Sequence, residues 1–252
     1  MTEASNLPLA ITMGDPAGCG PQITSVAWAQ LRDTLRTPFY VIGTAELYSC
    51  PTQVIDAPEE ASSVFGAALP VLPLASDLTD VIPGEARPEF ARAILESIER
   101  ATEHALEGVA AGVVTNPISK SVLYRAGFTH PGHTEYLSAL CEAYNGEPAP
   151  PVMMLVGGGL RVALATIHVP LMQVASLLSG DLLIQVAETT HKALQKDFGV
   201  VKPRLAFTGL NPHAGEDGTI GTEERDLINP TAARLRASGI DISDARPGDT
   251  VF

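Results

Sequence analysis

Leu205-Ala206-Phe207-Thr208 is an apolar run of strand length that opens directly into Gly209-Leu210-Asn211-Pro212-His213-Ala214-Gly215-Glu216. A short apolar run with a turn signal at its end reads as a buried strand, which puts the polar cluster in the loop where that strand stops. Residues 161–167, Arg-Val-Ala-Leu-Ala-Thr-Ile, repeat the design, ending at His168 with Pro170 starting the next helix. Strand, polar loop and helix make the unit of an open α/β sheet, where the carboxyl ends of neighbouring strands face one crevice and ligands bind in it. Neutral imidazole is the commonest metal-ligating side chain. One histidine at a strand end is ordinarily a satisfied structural group; His168 and His213 in matched positions leave a shared ligand site and a structural role as equal alternatives.

The same unit appears earlier in the chain. Residues 7–13 read as a strand, followed by Gly14-Asp15-Pro16-Ala17-Gly18-Cys19-Gly20-Pro21 and a helix whose apolar positions are Ile23, Val26, Ala27 and Leu31. The glycine spacing is neither Gly-x-Gly-x-x-Gly nor a phosphate loop with Lys-Ser/Thr, so no dinucleotide or triphosphate fingerprint is present. A tight strand-to-helix turn accounts for these glycines, with a ligand-contacting loop as the alternative. Phe39-Tyr40-Val41-Ile42-Gly43 is a further strand, and residues 51–83 read as irregular with short strands. Helical spacing holds over 88–106, where His104 is a solvated or flanking residue.

Residues 109–114 form the next strand, closed by Thr115-Asn116-Pro117-Ile118-Ser119-Lys120. A helix then runs through Tyr136, Leu137 and Leu140, with Thr134 as its N-cap and Glu135 favoured by its positive end. Residues 181–198 make an amphipathic helix with Leu183, Ala187, Leu194 and Phe198 on one side and His191 beside them. Thr222 caps a last helix that Pro230 must kink or restart.

With 252 residues the chain can build one large α/β domain or two smaller ones. A formal net charge of -13 leaves no basic face for a nucleic-acid backbone. An anionic small substrate would need local donors, such as helix N-termini or a few placed cations. Cys19, Cys50 and Cys141 are odd in number and far apart, which indicates neither a disulfide framework nor a thiolate zinc site and suits a reduced, cytoplasmic setting. The stretch Met1-Thr2-Glu3-Ala4-Ser5-Asn6 has no basic region before an apolar run, as a secretory signal requires. Residues 152–178 are interrupted by glycines, Arg161, His168 and Pro170, so no membrane span is expected.

Four blocks, taken in order, resemble the 4-hydroxythreonine-4-phosphate dehydrogenases. They are Ile11-Thr12-Met13-Gly14-Asp15-Pro16-Ala17-Gly18-Cys19-Gly20-Pro21, Pro131-Gly132-His133-Thr134-Glu135, residues 161–168, and Gly209 through Glu216. The resemblance implies an α/β fold like that of isocitrate and isopropylmalate dehydrogenases, with two α/β/α subdomains expected over 1–115 and 116–252. It implies a homodimer with the active site at the subunit interface, a divalent metal (zinc, magnesium or cobalt) and NAD or NADP. The implied reaction is oxidation of 4-phosphooxy-L-threonine in pyridoxal phosphate synthesis, followed by loss of carbon dioxide. By position, His168 and His213 correspond to metal ligands, His133 and Thr134 to substrate contacts, and Asp249 and Lys120 to catalytic positions.

Members of that family continue into a His-Asp-Gln-Gly segment with a third metal histidine, which this sequence does not contain. The first subdomain is therefore expected to be incomplete, with exposed apolar strand surface and self-association. A non-catalytic remnant that binds metal or ligand, or a dehydrogenase for another hydroxy acid or diol, are the alternative readings.

Overall fold

A computed structural model describes residues 7–251. The leader reading at residues 1–6, and Phe252, lie outside the described residues. The chain divides into two compact units, Met1–Pro151 and Val152–Phe252.

The first unit runs β1 (Leu9–Thr12), α1 (Gly20–Leu31), β2 (Phe39–Gly43), β3 (Thr52–Val54), α2 (Ala61–Val64), β4 (Leu69–Pro73), α3 (Ala91–Leu106), β5 (Gly112–Val114), α4 (Lys120–Arg125) and α5 (His133–Asn145). Its five strands pair in parallel in the order β3-β4-β2-β1-β5. Every residue of β2, and β4 up to Pro73, is buried, because crossover helices cover both faces of a parallel sheet and leave no polar side for alternation.

Helix α3 locks onto the sheet through Ser97. Its hydroxyl accepts from Met13 N at 2.8 Å and donates to Ile42 O at 2.7 Å, tying the ends of β1 and β2 together. The apolar face expected on α1 is corrected by the structure: Ile23, Val26 and Leu31 are exposed, while Thr24, Ser25 and Trp28 point inward. Hydrogen bonding makes this possible, since Trp28 Nε1 donates to Phe65 O and Ser25 Oγ donates to Pro21 O, both at 2.8 Å.

The expected boundary at 115/116 differs from the observed division, because residues 116–151 pack with the first unit. Leu123 and Tyr136 are buried in the same cluster as Ile94 and Ile98 of α3, with Leu137 and Leu140 against it.

The second unit comprises β6 (Met154–Gly157), β7 (Leu160–Ala163), α6 (Leu171–Leu177), α7 (Gly180–Lys196), β8 (Leu205–Thr208), a π-helical turn (Glu224–Ile228), α8 (Asn229–Ala237) and β9 (Ile242–Arg246). The helix does not restart at Pro230: the π-helical turn passes directly into α8 at Asn229 with helical dihedrals throughout, and the proline sits in the first turn of α8. Helix α7 buries Leu183, Ala187 and Leu194 as its periodicity predicts, and Ser179 Oγ caps it by accepting from Leu182 N at 3.2 Å.

Two expectations fail here. The strands before His168 and His213 are half-exposed rather than buried, and they are not neighbours in one sheet. Strand β7 pairs antiparallel with β6 across the left-handed Gly158-Gly159 turn, a short-range pairing that a two-residue glycine loop favours. Strand β8 pairs in parallel with β9.

Candidate functional site

In a sheet of order β3-β4-β2-β1-β5, the strand order reverses between β1 and β5, where an open α/β sheet presents its ligand crevice. The loops that leave these two strands are Gly14–Pro21 and Thr115–Lys120. Here they pack on each other. Asn116 is buried, and its side-chain amide donates to Thr12 O at 2.9 Å and to Thr24 Oγ1 at 2.8 Å. Asp15 N donates to Pro117 O at 2.9 Å. A Cβ on Gly14, whose φ is +72°, would stand 2.6 Å from Pro117 O. That glycine has a steric reason to be there, which supports the tight-turn reading of the block.

Lys120 opens α4 beyond this packing and reaches the start of α5. Its Nζ lies 3.3 Å from where a Gly132 Cβ would be, and Gly132 is the N-cap of α5. His133, not Thr134, is the first helical residue. Thr134 is one place further in, exposed, and makes no cap. His133 Nε2 is buried and has no hydrogen-bond partner among the described residues. Burial, and then the Lys120 charge, hold the His133 imidazole below its ordinary pKa, so the ring favours its neutral form. An ammonium and an unpartnered ring nitrogen thus meet at the positive end of a helix, an arrangement receptive to anions.

In the second unit His168 ends the segment after β7, exposed and with φ +55°. His213 lies in the loop after β8, where residues 213–217 all have positive φ (50°, 52°, 80°, 42° and 55°). Four of those five residues carry a side chain, and each pays about 1 kcal/mol or more for this left-handed backbone. A buried latch holds the loop. Glu224, only 3% exposed, accepts from Asn211 N at 2.7 Å and from Asn211 Nδ2 at 2.9 Å, and Glu223 accepts from Asn211 Nδ2 at 2.6 Å. Burial alone would raise the Glu224 pKa, but the Asn211 side-chain and backbone donors outweigh it and the net shift is downward.

Glu223 and Glu224 follow the helix-capping position Thr222 in the sequence, and nothing in that placing shows their role in this loop. Their signal was the spacing from Asn211, which only a folded loop converts into contact.

The parallel β8/β9 pairing opens the ends of both strands at one edge, and Gly209 N donates to Arg246 O at 2.7 Å there. Asp249 follows β9 and stands across from His213, Nδ1 to Oδ2 3.6 Å. The structure therefore brings Lys120 to His133, and Asp249 to His213. Among the described residues, no three His, Cys, Asp or Glu side chains come together as a cation site. The two imidazoles have the donor chemistry that zinc or cobalt takes, but these residues alone do not complete the usual three-donor set.

Residues 33–252 match the family model described as pyridoxal phosphate biosynthetic protein PdxA. The 4-hydroxythreonine-4-phosphate dehydrogenase of Methylorubrum extorquens is 46% identical, with the match covering 97% of this chain and 73% of that protein. The solved 4-hydroxythreonine-4-phosphate dehydrogenase of Klebsiella pneumoniae superposes with a TM-score of 0.85 at 33% identity, over 98% of this chain and 77% of that one. A terephthalate 1,2-cis-dihydrodiol dehydrogenase from Burkholderia xenovorans superposes less well, with a TM-score of 0.66 at 27% identity over 96% of this chain and 74% of that one. The α/β fold expected from the sequence is that of these dehydrogenases, and the chain belongs to the PdxA family of pyridoxal phosphate biosynthetic proteins.

Proposed function

We propose that the chain is an NAD(P)-dependent oxidoreductase that converts 4-phosphooxy-L-threonine to 2-amino-3-oxo-4-phosphooxybutanoate, which then loses carbon dioxide to give 3-amino-2-oxopropyl phosphate. The 46% identity to a 4-hydroxythreonine-4-phosphate dehydrogenase over 97% of the chain carries this reading.

The residues have distinct tasks in it. Lys120 and the amino end of α5 attract the phosphorylated substrate, and neutral His133, with Thr134, hydrogen-bonds it. His168 and His213 would each offer a ring nitrogen to a divalent cation, zinc, magnesium or cobalt. Bound there, such a cation would supply Lewis acidity toward the substrate hydroxyl and the ketone formed from it. Asp249, beside His213, would accept the hydroxyl proton, and bound NAD or NADP would supply the hydride acceptor. A homodimer in the cytoplasm, with the active site at the subunit interface, completes the proposal. No helix among the described residues is long and apolar enough to cross a membrane.

The test is the appearance of reduced cofactor when the purified chain is given a divalent cation, NAD or NADP, and 4-phosphooxy-L-threonine. The cis-dihydrodiol of terephthalate is assayed in parallel. Cofactor reduction with the phosphorylated substrate alone supports the proposal. Reduction with the diol alone, or with neither, contradicts it.

A further inference from the structure

Gly132 is buried, and two opposite charges stand over it on the side where a Cβ would project. Lys120 Nζ lies 3.3 Å from that point and Glu135 Oε2 lies 3.5 Å from it. The backbone is extended there, with φ -177°, so its conformation does not call for glycine. The two side chains do, because a methyl group at this place would push against the Lys120 ammonium.

Glu135 is the third residue of α5. Side chains on a helix lean towards its amino end, which carries this carboxylate back over the N-cap. In a capping box a glutamate so placed accepts from the N-cap amide. Glu135 does not: it is half-buried, and among the described residues its carboxylate has neither a hydrogen bond nor an ion pair. The helix dipole favours an acidic residue in a first turn. That does not explain a carboxylate set beside the ammonium that is to receive a phosphate, because it repels the anion that the lysine attracts. The conflict disappears when the ligand itself carries both charges.

We infer that Glu135 accepts the α-ammonium of an amino-acid phosphate ester while Lys120 and the amino end of α5 take the phosphate, so that the two side chains select a zwitterion over an anion of the same shape. In 4-phosphooxy-L-threonine the ammonium and the phosphate sit on carbons separated only by the hydroxyl-bearing one, and neighbouring charges at one helix start can hold both. The inference rests on the reading of this helix start as the phosphate site and adds the second substrate group recognised there.

The probes are 4-phosphooxy-L-threonine, its deamino counterpart 3-hydroxy-4-phosphooxybutanoate, and inorganic phosphate. Each is titrated calorimetrically into the full chain and into Glu135→Gln without NAD or NADP, so nothing depends on turnover. The unsubstituted chain should hold the amino ester about tenfold or more tighter than the deamino ester, because the analogue leaves the carboxylate unpaired. In Glu135→Gln the difference should shrink to about threefold or less, chiefly through weaker binding of the amino ester, while inorganic phosphate binds as before or more tightly. Glu135→Asp should keep part of the preference. If circular dichroism shows that Glu135→Gln does not fold, the two esters on the unsubstituted chain and on Glu135→Asp decide.

Equal affinity of the unsubstituted chain for the two esters overturns the inference and leaves the phosphate site standing. A preference that Glu135→Gln leaves intact does the same. So does a variant that weakens all three ligands alike, which would make Glu135 a support of the helix start. Failure of inorganic phosphate and both esters to bind overturns the phosphate site and the inference with it.

Discussion

His213 Nδ1 lies 3.6 Å from Asp249 Oδ2, with the two side chains 58% and 56% exposed. That separation is too long for a hydrogen bond and short enough for a shared ligand to touch both groups. It exists because β8 and β9 run parallel, so the loops carrying these residues leave the sheet at one edge. An exposed pair of this kind adds little to stability. Asp249→Ala is therefore expected to change unfolding free energy by no more than about 0.5 kcal/mol in denaturant titration. As the proposed proton acceptor it should lower kcat by about a hundredfold or more. Loss of stability with unchanged turnover would reverse the assignment.

Asn211 and Glu224 form the latch under the His213 loop. Glu224→Gln replaces an acceptor with a donor facing Asn211 Nδ2, and Asn211→Ala leaves a buried carboxylate without its side-chain donor. Each should destabilise the second unit by roughly 1–3 kcal/mol, measured by denaturant unfolding. The double variant should cost less than the sum of the two, because they remove one interaction.

The left-handed run over 213–217 predicts opposite effects at adjacent positions. Gly215 has φ +80°, and a Cβ there would meet Gly221 O at 2.7 Å and Glu224 Oε2 at 2.8 Å. Gly215→Ala should cost about 2 kcal/mol or more, from strain and clash together. Ala214, at φ +52°, is held where glycine is preferred. Ala214→Gly should be neutral or stabilising by up to about 1 kcal/mol, which thermal unfolding of the two variants will show.

The legible and illegible parts of the chain divide along physical lines. Strands β1 and β2 are nearly continuous apolar runs because a parallel sheet is covered on both faces, so their sequences announce them. Helices α3 and α7 carry clear periodicity for the same reason. Helix α1 misled because its inward face holds Thr24 and Ser25, acceptable only through hydrogen bonds with partners far along the chain, Asn116 and Ser49. The sheet partners of β7 and β8 were not readable either. Half-exposed strands of four residues carry no signature of which edge will be used. At the site, the loop containing His213 stood out by its composition. Its contact with Asp249 and its dependence on Glu224 arise only from pairing and loop closure.

Acidity acts through half-buried imidazoles. His133 is held below 6.5 by burial and then Lys120, and His104 by burial and then Arg100. In each case the unfolded chain takes up a proton at a pH where the folded chain resists it. The stability these rings contribute is complete above pH 6.5 and is lost as the pH falls through 6.5 towards the folded-state values. Glu224, whose folded pKa is lowered, loses its contribution only further down, in the carboxylate range. Thermal midpoints should therefore begin to fall near pH 6.5. His133→Gln should reduce the slope in that window, and an unaltered slope in both His133→Gln and His104→Gln would show that other groups govern it.

His168 and His213 are proposed to serve one cation, and cobalt reports this without any need for turnover. The chain, titrated with Co(II) and followed by its visible absorption, should bind one ion. His168→Ala and His213→Ala should each weaken binding by tenfold or more, and the double variant should fall little below the weaker single one. Binding that survives both substitutions, or two independent ions each lost to one substitution, would contradict it.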